Sequence, residues 1–500
     1  MIRGRMGKLP WAACITLIAV AVVAAVTRTG SAADAQAPGP VAVQVDPSLQ
    51  PGFAPAAPDY AVRCDPGKSV ALTFDASGST RVSVNGGPAR SGHSTAHVRL
   101  VAGRALGFAI DSGPDAGDYH VRCLPKDFPD YRVNLNGQPQ AGWYVVSPDH
   151  FGAGIPDYTI VFDSHGAPVW WMRDPKGAPM NASLLPHSII AWYTYTGGPF
   201  GVDSEVGYGA HTLDGKLVHT YKAHGGPTDL HELQVLPNRH AMVIRYKVRR
   251  KRVDLSRYPQ GSSDARVVDG QAQEVDRRGK LVWSWNTKDH LALSEVDRWL
   301  PFGDPVQLRD GRWVRDIAHM NTIDPHGRRL LISVRYADAV YEIDRSSKRV
   351  LWKLGGTHTR ESLRFVGDPL GGSSFGGQHD ARLSDDGALL SVFDNRSHRK
   401  GPPRAVVYRI DPTHRTATLL ESITDPSIKE SDCCGGARRL PGGDWVIAWG
   451  HHTLMTETDS NGNRVLALRF PDRTSYRAVP VLPGGLDSAR LRAGMDAMAH

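Results

Sequence analysis

The chain has 500 residues, 41% hydrophobic and 22% charged, a balance that excludes a disordered or fibrous protein and suits a globular one of more than one domain. Its formal charge of +8 owes half its size to Arg3, Arg5, Lys8 and Arg28; taking those four from the 59 basic residues leaves 55 against 51 acidic ones, too mild an excess for a nucleic-acid-binding surface. With 52 Gly and 35 Pro, and short runs of Val, Ile, Leu, Tyr and Trp between turn residues, the chain reads as all-β.

Residues 1–33 read as a signal peptide or a membrane anchor. Arg3, Arg5 and Lys8 precede the uncharged run Trp11–Val26, and Ser31-Ala32-Ala33 offers small residues for cleavage before Asp34. An uncleaved anchor stays open beside cleavage, because the run approaches the length of a membrane span. Either way the body is expected outside the cytoplasm, secreted or held at a membrane by residues 11–26. Cys64, Cys123, Cys433 and Cys434 then lie in an oxidising compartment.

Residues 34–57 are rich in Pro and Ala and read as an extended linker. Residues 58–128 read as a small β-sandwich. There Asp59-Tyr60-Ala61-Val62-Arg63-Cys64 returns as Asp118-Tyr119-His120-Val121-Arg122-Cys123, with alternating segments between the copies and Asn85-Gly86-Gly87 as a hairpin turn. A Cys64–Cys123 disulfide is expected, although four cysteines permit other pairings. Cys433-Cys434 is open to a vicinal disulfide, to bonds elsewhere, or to a reactive thiol pair.

From about residue 140 to 480 one pattern returns: a strand ending in Asp, a tight turn, then a second strand. The aspartates are Asp163, Asp214, Asp276, Asp344, Asp411 and Asp459, spaced by 48 to 68 residues. Hairpins at such a period mark propeller blades, and the direct count is six. A second hairpin signal lies between them, giving each repeat four strands. Residues 481–500 are left as a C-terminal tail.

Three of these second signals open with histidine: His231, His319 and His379, each six residues before the Pro or Asp of its turn. If that register is the innermost strand, three imidazoles from separate repeats meet at one mouth of a central channel. Asn321, two residues after His319, is expected to face the same side. Arg335 ends the next strand and brings forked donors suited to sulfate, phosphate or carboxylate. Together these residues describe a basic pocket for a tetrahedral oxyanion; taken singly, each also fits an ordinary role in blade packing.

Among the segments around these residues, those with His-Met-Asn and Gln-His-Asp are the specific ones. Asp316-Ile-Ala-His-Met-Asn-Thr-Ile-Asp324, Asp229-Leu-His-Glu-Leu-Gln-Val-Leu-Pro-Asn238, Phe375-Gly-Gly-Gln-His-Asp-Ala381 and Phe393-Asp-Asn395 resemble the arylsulfotransferase family over roughly residues 140–470. That resemblance implies a six-bladed β-propeller that moves a sulfuryl group from an aryl sulfate ester to a phenolic acceptor, with no nucleotide donor and no cofactor. It implies His379 as the nucleophile that becomes transiently sulfated, with His231, His319, Asn321 and Arg335 around the sulfuryl group. The 58–128 unit departs from the pattern of the well-known periplasmic members, so oligomeric state and donor choice are not carried over.

Two other readings stay in view: three imidazoles holding a divalent metal that activates water, and a non-catalytic propeller that binds an anionic ligand or partner at the cell surface. Gly367–Gln378 is a candidate rim or lid before His379. The basic run Lys247–Arg252 reads as a solvated loop, and Trp283, Trp285 and Trp352 as packing between blades.

Overall fold

The computed structural model describes residues 39–498 apart from 66, 151–152, 199–201, 204–205, 304, 309 and 371–374. The segment read as a signal or anchor lies outside the described residues, and so does the middle of the Gly367–Gln378 stretch.

The N-terminal unit is two sheets over one apolar cluster. One pairs Val41–Asp46, Ser69–Ala76 and Gly92–Arg99; the other pairs Asp59–Arg63, Gly117–Leu124, Ala105–Ile110 and Val82–Val84. Leu72 and Phe74 of the first pack with Tyr60, Leu106, Phe108 and Val121 of the second. The two Asp-Tyr copies become parallel neighbours, Tyr60 opposite Val121 and Val62 opposite Cys123. This pairing brings the Cα atoms of Cys64 and Cys123 to 5.6 Å, with their sulfurs in contact.

Two boundaries need correction. The segment read as a linker contains a strand, because Val41, Val43 and Val45 alternate with the exposed Ala42, Gln44 and Asp46 and lie opposite Phe74 and its flanks. Pro and Ala around that run hid its period of two. The tail also is not loose: Ser488–Ala497 is a helix capped by the Asp487 carboxylate, which accepts from the Arg490 N–H at 2.8 Å. Leu491 and Met495 bury against the first sheet of the main body, while Arg492 pairs with Asp59 at 2.7 Å. The helix thus pins the N-terminal unit to that body.

The main body is mostly β. Among the described residues of 143–481, six sheets of four or more strands follow one another, mainly antiparallel, besides the two-stranded pairing of Val202–Asp203 with Thr228–Asp229. The first joins Pro168–Arg173, Tyr158–Asp163 and Trp143–Asp149 to the last strand, Thr474–Val481. The others begin at Ala178–Leu185, Leu233–Val235, Met320–His326, His379–Ser384 and Gly436–Arg439. Arg132–Leu135, leaving the N-terminal unit, adds a further strand to the sixth sheet. Each of the six repeated aspartates sits in the hairpin that joins two successive antiparallel strands of its sheet. Its carboxylate closes the turn, as when Asp276 accepts from the Lys280 N–H at 2.9 Å and Asp459 from the Asn463 N–H at 2.8 Å. That local bond explains why the spacing was visible in the sequence.

The opening strands lie side by side. Met320–His326 neighbours Leu233–Val235 and His379–Ser384; the latter neighbours Gly436–Arg439, which neighbours Thr474–Val481, which in turn reaches Ala178–Leu185. A buried ionic network binds them at the centre. Arg382 bonds Glu232 at 2.7 Å and Asp380 at 2.9 Å, and Arg438 bonds Asp380 at 2.7 Å. Arg477 reaches Glu232 and the side-chain Oδ1 of Asn181, each at 3.2 Å, and the Asn321 backbone oxygen at 2.9 Å. Every one of the six sheets contributes a partner to this plug.

Candidate active site

His231, His319 and His379 stand at or just before the opening strands of three sheets, beside the plug. The rings of His231 and His319 are 5.0 Å apart, and Tyr476 of the last strand lies 5.5 Å from His231 and 6.3 Å from His379. The three imidazoles converge, as their common register requires.

All three are held by Nδ1. His231 donates to the two oxygens of Asp229 at 2.8 and 2.9 Å, and His319 to Asp316 at 2.6 Å. His379 has an amide instead: its Nδ1 lies 2.7 Å from Oδ1 of Asn395. The orientation of that amide is fixed, since its Nδ2 donates to the Ser431 hydroxyl at 2.8 Å and to the Cys434 carbonyl at 2.9 Å. Oδ1 therefore accepts, Nδ1 carries the hydrogen, and Nε2 of His379 presents a lone pair.

The partners differ in charge. A carboxylate adds a full negative charge that favours an imidazolium, whereas an amide oxygen orients the ring and favours its protonation only through the hydrogen bond. Burial pulls His379 well below the usual imidazole range, and the nearby Arg335 guanidinium pulls the same way. Both effects favour the neutral ring of His379. Burial also lowers His319, to about 4, against the upward pull of Asp316.

Arg335 supplies the positive charge. It is 8% exposed, its guanidinium lies 4.2 Å from the Trp299 ring centroid, and Nη2 donates to the Asp432 carbonyl at 2.6 Å. Its Nε is buried without a hydrogen-bond partner. A buried donor left open on a cation, beside three imidazoles, is a ready seat for an anionic oxygen. Tyr336 stacks between Trp299 and His319, with centroid distances of 5.0 Å on both sides, so one wall of the site is aromatic. The Tyr476 hydroxyl is also buried without a partner.

Asn321 departs from expectation. It is fully buried and its Nδ2 donates to the Gln378 carbonyl at 2.7 Å, so it fixes the residue before His379. The strand alternation that placed it beside His319 fails because His319 is left-handed, with φ of 53°, and the register shifts between Met320 and Thr322. Among the described residues, no three His, Cys, Asp or Glu side chains are grouped to hold a metal ion. Sequence reasoning missed Asp229, Asp316 and Asn395 as partners, although a carboxylate two or three residues before a histidine was a readable signal. Trp299, Tyr336 and Tyr476 carried no such signal.

Comparison with known proteins adds to this geometry. The family model for arylsulfotransferase (ASST) matches residues 207–471, just over half the chain and all three histidines. The chain belongs to the arylsulfotransferase family. No curated protein matches this arylsulfotransferase-family chain. Solved structures similar to it include a protein of unknown function from Bacteroides caccae, at 13% identity and TM-score 0.39 over 68% of this chain and 99% of that one. A periplasmic gluconolactonase from Pseudomonas aeruginosa matches at 12% identity and TM-score 0.36, over 68% and 96%. The β-propeller domain of Cps50 (Swd1) from Myceliophteria thermophila matches at 10% and 0.33, over 70% and 89%.

Proposed function

We propose that the chain is a six-bladed propeller, preceded by a sandwich stapled through Cys64–Cys123, that transfers a sulfuryl group from an aryl sulfate to a phenol through a sulfated His379. The exported or membrane-anchored location read from residues 1–33 belongs to the same proposal. What carries it is one contrast: His379 is hydrogen-bonded at Nδ1 to a neutral amide, while its neighbours are hydrogen-bonded to carboxylates, all beside an open Arg335 donor.

In the first half-reaction the Nε2 lone pair of His379 attacks sulfur, the bond from sulfur to the aryl oxygen breaks, and the phenolate leaves in line. Arg335 stabilises charge on the peripheral sulfuryl oxygens. His231, whose ring hydrogen faces both oxygens of Asp229, delivers a proton from Nε2 to the leaving oxygen. It takes one back from the acceptor phenol in the second half. His319, drawn down to about 4, has no extra proton to give near neutrality and serves as a neutral neighbour. Asn321 acts as a positioning residue through Gln378.

The test is intact-mass analysis after mixing the protein with 4-nitrophenyl sulfate and no acceptor. A mass gain of one sulfuryl group, mapped to His379 and absent in His379→Ala, is expected. Stoichiometric nitrophenol release without an adduct would rule out the covalent route. Binding of aryl sulfates with no release would favour the non-catalytic reading.

A further inference from the structure

The adjacent cysteines 433 and 434 remain outside that chemistry, yet their loop touches both halves of the site. The Asp432 carbonyl accepts from Arg335 Nη2 at 2.6 Å. The Cys434 carbonyl and the Ser431 hydroxyl accept from Asn395 Nδ2 at 2.9 and 2.8 Å, and Asn395 in turn holds His379. Three residues of one four-residue stretch thus orient the cation and, through one amide, the nucleophile.

The loop is itself closely held. Ser397 donates its hydroxyl to the carbonyls of Ser431 and Asp432, each at 2.9 Å, and the Gly435 N–H donates to the Tyr476 carbonyl at 3.0 Å. Gly435 sits at φ of 88°, where an added Cβ would lie 2.6 Å from both the Ala448 oxygen and the Gly450 nitrogen. Cys434 takes a left-handed φ of 65°, unusual for a residue with a side chain. The two cysteine sulfurs are bonded to each other, closing a small ring through the intervening peptide. Both cysteines are partly exposed, whereas Cys123 is fully buried.

We propose that the Cys433–Cys434 disulfide is a positioning element of the active site, making His379 and Arg335 geometry dependent on redox state. Closed, the ring holds the peptide so that the Asp432 and Cys434 carbonyls face their donors. Opened, the turn gains backbone freedom, a left-handed cysteine loses its covalent restraint, and both hydrogen bonds loosen. With a water-soluble phosphine the step is balanced: phosphorus attacks one sulfur, the S–S bond breaks, and water supplies the oxygen of the phosphine oxide. Two thiols remain.

The kinetic readout rests on the sulfuryl-transfer reading, so a second readout does not. The full chain, with histidine labelled by nitrogen-15, is compared before and after phosphine treatment, and alkylation with mass mapping reports which cysteines opened. The His379 signals are assigned with His379→Gln. Opening Cys433–Cys434 is expected to lower kcat for 4-nitrophenyl sulfate by ~10²-fold, as for a small misplacement of reacting groups. The His379 Nδ1–H signal is expected to broaden or shift, with the melting temperature little changed. Cys433→Ser/Cys434→Ser should resemble the reduced protein and be indifferent to phosphine, which separates this bond from Cys64–Cys123. An unchanged His379 signal after opening, with or without turnover, overturns the proposal; so does alkylation of Cys433 and Cys434 in the untreated protein.

Discussion

Two arginines a short way apart on the same axis have opposite surroundings. Arg382 is buried among Glu232, Asp380 and Asp324, with 2.7 Å to Glu232 and 2.9 Å to Asp380. Arg335 is equally buried, but it meets one carbonyl, two aromatic rings and no carboxylate among the described residues, and its Nε has no partner. In the plug, each charge neutralises another and holds six sheets in register. At Arg335 no carboxylate lies beside the charge among the described residues. Under the proposed function that unmatched cation would receive an anion, whereas the fully matched Arg382 belongs to the structure.

Substitution sharpens that contrast most. Arg335→Met is expected to lower kcat/KM for aryl sulfates by ~10²–10³-fold, the range for losing one donor to a developing oxyanion, with little change in denaturant midpoint. Arg382→Met should do the reverse, costing about 3–5 kcal/mol of stability in urea titration because Glu232 and Asp380 lose their partner. If Arg335→Met unfolds the protein instead, the two arginines share a structural role and the comparison breaks.

A smaller effect probes the amide at His379. Asn395→Asp places a carboxylate on Nδ1–H and raises the proton affinity of the ring. The acid limb of kcat/KM should then move up toward neutrality, with a loss of about 10-fold near pH 6 that recovers at higher pH. A profile parallel to the wild type would show that the amide does not set the charge of His379.

The smallest effect is on stability. His319 has its folded value depressed to about 4 from an ordinary 6.5, so the unfolded chain binds its proton more readily. Its contribution is complete above about pH 6.5 and fades as pH falls toward about 4. Thermal unfolding of wild type and His319→Gln between those limits should show a steeper acid loss in the wild type. Equal slopes would mean that Asp316 offsets the burial of the ring.

Legibility in the sequence followed the range of the interaction. The six Asp turns were readable because each carboxylate bonds a backbone N–H only a few residues away. The three histidines were readable because strand repeats impose one register on side chains far apart in sequence. Asn321 was misplaced since a single left-handed residue and a bulge undo the alternation. The strand Val41–Asp46 was hidden by its Pro/Ala surroundings, and the closing helix by its brevity. Arg335 was found by position, but its open Nε was beyond any sequence pattern.

The residues by themselves therefore determined the β character, the repeated hairpins and which imidazoles belong to one ring. The family follows from the same segments. Only the tertiary structure decided which charges cancel, which amide faces His379, and which carbonyls of the 431–434 loop hold it. Those outcomes depend on side chains from different sheets meeting, and no local pattern encodes a partner 39, 97 or 150 residues away.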